Sequence, residues 1–135
     1  MPGNPAEQDG GKYVDLAGRH VLVVEDEFWS SCGLEDILTD AGCVVLGPAE
    51  SLAEAMRHAR AERIDAALLE VVLGREPVFP VAYALRHRGV PFAFLGGYQE
   101  RILPPDLVGS PLLRKPYLVG GQVLKLIRKL VRTHD

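Results

Sequence analysis

Residues 65–74 read DAALLEVVLG. A short, wholly apolar run, Ala66 to Leu69, ends on a single acid, Glu70, and a glycine, Gly74, follows four residues later. A run of this kind, bounded by polar residues and too short for a helix, fits a central parallel strand buried on both faces. Glu70 then stands where the chain leaves the sheet, at the edge where open α/β sheets gather their ligands. Working outward, HVLVV at 20–24 predicts a second all-apolar strand that ends on the acids Glu25, Asp26 and Glu27. Residues 43–46 predict a short strand closed by Gly47-Pro48, PFAFL at 91–95 another, and 112–114 a fifth, cut off by Lys115-Pro116.

Helical periodicity fills the intervals between these runs. Leu34, Ile37, Leu38 and Ala41 recur at helical spacing within 30–41, with Gly42 placed as a left-handed cap. Ser51 and Glu54 form a capping box that opens a helix over 52–62. Val78, Val81, Ala82 and Leu85 mark another, after a loop over 70–77, with Pro80 tolerable only in its first turn and Gly89 ending it. Pro104-Pro105 leaves the fourth helix little more than one turn. Val123, Leu126, Ile127 and Leu130 mark the last, with Lys125, Arg128, Lys129 and Arg132 toward its wet side. Parallel strands need helical, right-handed crossovers, so the alternation predicts a flavodoxin-like (βα)5 fold, a doubly wound parallel five-stranded sheet of order 2-1-3-4-5. That order sets Glu25, Asp26 and Glu70 side by side and adds Lys115 to the same rim.

With 135 residues, 47% of them hydrophobic, the chain suits one domain with its own core. Residues 1–18, rich in Gly, Pro and polar side chains, read as a flexible tail, and 19–135 as the domain. A formal charge of −3 argues against nonspecific nucleic-acid binding. No apolar run approaches the roughly eighteen residues of a spanning helix, and the amino terminus lacks a secretory apolar segment, which predicts a cytoplasmic protein away from membranes. Cys32 and Cys43 have neither disulfide-scaffold density nor metal spacing, and His20, His58, His87 and His134 are scattered. Trp29 reads either as a partner contact or as partly buried core, and Tyr98 either as a recognition aromatic or as a loop plug.

The combination VLVVEDE, DAALLEVVLG and LLRKP, in this order and spacing, resembles the receiver (CheY-like) domains of bacterial two-component response regulators over residues 19–132. PFAFLGGYQE further resembles the F-A-T-G-Y segment of an alphaproteobacterial branch nicknamed FAT GUY, many of whose members stand alone. The resemblance implies a phosphoacceptor aspartate at the position of Glu70. It also implies Mg2+ held by that residue, by Glu25 and Asp26, and by the backbone carbonyl of Val72. It places the switch Thr or Ser at Gly96, the site lysine at Lys115 with a following peptide bond that is often cis, and the aromatic switch at Leu112.

Two of these positions depart from the family. Glu70 is longer than aspartate by one carbon–carbon bond, about 1.5 Å, and Gly96 has no hydroxyl with which to sense a phosphoryl group. The expectation is a pseudo-receiver, not an enzyme, that binds proteins independently of phosphorylation. Glu70 would lie toward Lys115 as an imperfect mimic of aspartyl phosphate, with one charge against nearly two. The longer ligand also puts Mg2+ in question, because that ion holds to a strict octahedron. The expected partners are a sensor histidine kinase or another signalling protein, and a second copy through the fourth helix, fifth strand and fifth helix. The competing reading is a working phosphoacceptor that uses a nearby carboxylate, Asp26, with Mg2+. A metal-dependent phosphatase lacks a second aspartate at the needed spacing.

Overall fold

The computed structural model describes residues 14–61, 63–96, 103–114 and 120–134. Five strands make the central sheet: β1 (His20–Val24), β2 (Val44–Ala49), β3 (Ala66–Glu70), β6 (Phe92–Gly96) and β7 (Leu112–Arg114). Their order is β2-β1-β3-β6-β7 with every pairing parallel, the expected flavodoxin-like arrangement. Between β3 and β6, β4 (Val72–Leu73) and β5 (Glu76–Pro77) form a small antiparallel hairpin. The helices are α1 (Phe28–Asp40), α2 (Leu52–Ala61), α3 (Phe79–His87) and α4 (Gly120–His134).

The apolar runs form strands because both faces of the sheet are covered. Val21 and Val23 face the layer of α1 and α4, while Leu22 and Val24 face that of α2 and α3. β3 divides in the same way, with Ala66 and Leu68 on one side and Ala67 and Leu69 on the other. Two helices end at the glycines that the sequence marks. Gly42 has φ +89° and Gly89 φ +73°, and the amides of Cys43 and Val90 reach back to the carbonyls of Leu38 and Leu85. Both are Schellman caps, which need the left-handed conformation that glycine adopts without strain.

Several boundaries differ from the sequence expectations, each for a local reason. β2 runs through Gly47-Pro48, a cis bond, to Ala49 instead of stopping before it. Proline lacks a donor, but β2 is an edge strand, so no central ladder loses a hydrogen bond. The stretch 70–77, expected as a loop, contains the β4–β5 hairpin around Gly74-Arg75. In the fourth crossover, the described residues 103–111 hold a single turn, closed by Leu107 and Val108 amides on the Pro104 carbonyl. Four α-helices stand among the described residues, and residues 97–102 of the fourth crossover lie outside them.

The amino-terminal boundary also moves. Val14–Leu16, placed in the tail by composition, is a 3-10 turn whose Leu16 is completely buried in the α1–α4 layer. Asp15 Oδ2 accepts from Nε of Arg128 at 3.3 Å and of Arg132 at 3.2 Å. The basic side of α4 is thus partly pinned to this turn.

Candidate functional site

Strand register decides what meets at the carboxyl edge of the sheet. Val24 pairs with Leu69, Glu70 with Leu95, and Gly96 with Arg114. Glu25, the residue after β1, therefore sits beside Glu70, and Gly96 lies one step beyond the partner of Glu70. Glu25 is fully buried, Glu70 is 6% exposed and Gly96 is buried, whereas Asp26 and Glu27 are exposed. The expected juxtaposition of Glu25, Asp26 and Glu70 follows from the topology alone. Lys115, Tyr98 and the Lys115-Pro116 bond lie outside the described residues, and so does any pairing of Glu70 with Lys115.

The acids are engaged by the chain itself. Glu25 Oε1 accepts the Glu27 amide at 3.1 Å, and its Oε2 accepts the Ser30 hydroxyl at 3.1 Å. This carboxylate serves the start of α1, where Glu27 at the N-cap makes no side-chain capping bond of its own. Asp26 Oδ2 accepts the amide of Gly74 at 2.7 Å, which ties the tip of the β4–β5 hairpin to the end of β1. The Val71 carbonyl accepts the Val78 amide at 2.9 Å and closes the base of the hairpin. Val72 is half-buried as the first residue of β4.

Mg2+ calls for several oxygens converging at near-octahedral angles. Among the described residues, no three His, Cys, Asp or Glu side chains come together as a group able to hold a metal ion. Both Glu25 oxygens and one Asp26 oxygen already accept protein donors, so an ion here would share or displace those hydrogen bonds. Glu25, Asp26, Glu70 and the Val72 carbonyl stand as the ligand set that the resemblance implies.

Sequence reasoning missed Ser30 and Gly74 as partners of the acids. Ser30 carries a weak sequence sign, a hydroxyl in the first turn after an acidic trio. The Gly74 contact carries none, because a backbone amide from a distant turn makes it. Trp29, left open between two readings, is 80% exposed, and its ring meets that of Phe28 edge-on at 5.3 Å.

Known structures share this architecture. SdrG from Sphingomonas melonis Fr1 is 34% identical, with a TM-score of 0.74 over 84% of this chain and 97% of its own. The receiver domain of PhyR from Erythrobacter litoralis is 26% identical, with a TM-score of 0.74 over 87% of this chain and 93% of its own. The receiver domain of a Pseudomonas aeruginosa sensor histidine kinase, which holds a magnesium ion in its active-site cleft, is 22% identical. It superposes with a TM-score of 0.75 over 86% of this chain and 99% of its own. No protein-family model matches the chain, and no curated protein does. The fold, the acid-bearing edge and the likeness to SdrG define the class: the chain belongs to the response-regulator receiver (CheY-like) family. No helix among the described residues is long and apolar enough to cross a membrane.

Proposed function

We propose that this chain is a cytoplasmic receiver in two-component or phosphorelay signalling, of the FAT GUY type, that works by binding proteins and does not itself accept phosphate. The observation that carries this reading is Glu70, a buried glutamate at the crest of β3 where the family places its accepting aspartate. In-line phosphoryl transfer depends on the position of the attacking oxygen, and one added bond of about 1.5 Å misplaces it. Gly96 supports the reading from the other end of the same pathway, because it offers no hydroxyl to sense a phosphoryl oxygen. The hydrogen bonds on Glu25 and Asp26 support it as well, since they hold the flanking acids on protein donors. The partners are a sensor histidine kinase or another signalling protein, with the β7–α4 side offered to a second copy.

The test is Glu70→Asp, labelled with acetyl phosphate and magnesium and followed on a phosphate-affinity gel beside the wild type. Partial labelling of the variant and none of the wild type is expected, without full switching because Gly96 is unchanged. Labelling of both at equal rates would contradict the proposal and favour phosphorylation at a carboxylate such as Asp26.

A further inference from the structure

β7 is shorter than the strand it pairs with. It begins opposite Phe94, so Phe92 and Ala93, which open β6, have no strand beside them on that side. The gap lies at the amino end of the sheet, the end opposite Glu70. There the last turns of α3 and α4 and the stretch 106–111 enclose a cavity of about 520 Å³. Small-molecule sites occupy roughly 300–1,000 Å³.

The cavity has apolar walls and a basic rim. Val90, Pro91 and Phe92, leading into β6, and Leu130 on α4 are all buried and line it. Val108 also lines it and is 66% exposed, a large apolar side chain left in water at the mouth. Arg86 reaches the cavity from α3 and Lys129 from α4, and one acid, Asp106, stands between them in charge. The lining therefore carries a single net positive charge.

The two cations differ in how far they are engaged. Arg86 Nη1 donates to the Asp106 carbonyl at 3.1 Å and lies 3.7 Å from its carboxylate, and the guanidinium stands over the Phe92 ring at 5.9 Å. A guanidinium has five N–H donors, so Arg86 keeps donors for a second acceptor. On α4, Asp15 draws Arg128 and Arg132 to the amino-terminal turn, while Lys129 is exposed at the cavity. Cations at the edge of an apolar wall select an anion with an apolar body, because the body leaves water while the charge is paired. A flat ring can also take a place against the guanidinium, as Phe92 already does.

We propose that this cavity is a binding site for a small aromatic carboxylate, its ring against Phe92, Val108 and Leu130 and its carboxylate on Lys129 and Arg86. Asp106 disfavours ligands of higher negative charge. The site shares no residue with the acid-bearing edge, so it stands or falls independently of whether Glu70 accepts phosphate.

The experiment titrates the full chain with 2-naphthoate and follows the backbone amides by NMR, with 2-naphthamide, the same shape without the charge, as control. Shifts that saturate and map to Gly89, Val90, Val108 and Gly109, with Glu25 and Glu70 unmoved, are expected. The amide should bind about tenfold more weakly, and so should naphthoate to Lys129→Gln, on the scale of one charge-assisted contact. Val108→Trp, which fills the mouth from an exposed position, should abolish saturation. Circular dichroism of both variants should match the wild type, and the comparison of acid with amide needs no variant at all. No saturating shift, equal binding of the amide, wild-type affinity in either variant, or shifts centred on the acid-bearing edge would overturn the proposal. So would movement of the same amides on dilution without ligand, which would mean that a second copy fills the cavity.

Discussion

Burying a carboxylate is tolerated when its oxygens are met by donors, and Glu25 satisfies this through the Glu27 amide and the Ser30 hydroxyl. Glu25→Ala should therefore lower unfolding stability by ~1–3 kcal/mol in urea titrations, and Ser30→Ala by about 1 kcal/mol. Because those oxygens are engaged, excess Mg2+ should leave the melting temperature unchanged; a rise that grows with concentration would mean that the acids regroup around the ion. Cys43 gives a pH prediction. Burial, and then the charge of Asp65, raise its thiol from an ordinary 9.0 to about 11. The raised value favours the neutral thiol, so its contribution is complete below about pH 9 and is lost as pH rises through about 11. Cys43→Ala should flatten the stability loss over that window, and iodoacetamide should modify half-buried Cys32 well before Cys43. The places of Glu70 and Gly96 at the carboxyl edge were legible in the sequence because each follows directly on an apolar strand run. Ser30 and Gly74 were not, since their roles arise only when the chain folds back on itself.

Among the elements, the strands were the most legible, because a strand covered on both faces must be apolar at every position. β3 shows this directly, with all five residues buried. Leu68→Ala, which opens a void in that strand, should cost ~2–5 kcal/mol as measured by chemical unfolding. The helix ends at Gly42 and Gly89 were legible for a related reason, since left-handed caps select glycine. Gly42→Ala, held at φ +89°, should destabilise by about 1–2 kcal/mol. Gly33→Ala, in helical conformation with open space around it, should instead stabilise by ~0.5–1 kcal/mol. The β4–β5 hairpin escaped reading because two-residue strands have no periodicity, and Gly74 at the turn was its single sign. β2 passes Gly47-Pro48 because it is an edge strand, and an edge position is a property of the assembled sheet, not of the local sequence.

For the whole molecule, alternation of strand and helix was enough to order the sheet, because parallel pairing and right-handed crossovers leave few alternatives. The start of the packed domain was less legible. Leu16 is one apolar residue at the end of a polar stretch, and nothing local distinguishes it from a tail residue, yet it fills the α1–α4 layer while Asp15 bridges to Arg128 and Arg132. The exposure of Phe28 was also hidden, since an apolar residue opening an amphipathic helix reads naturally as core, whereas Trp29 was open to either reading and proves exposed. The acceptor position remains the centre of the account: Glu70 stands at the sheet's carboxyl edge with Gly96 close by and with Glu25 and Asp26 held on protein donors. Intact-mass spectrometry of the wild-type protein after incubation with acetyl phosphate and magnesium tests this most directly. A chain that does not accept phosphate should keep the mass of the untreated protein, and an acid-labile phosphoryl adduct that forms and decays with time would show that it does accept phosphate.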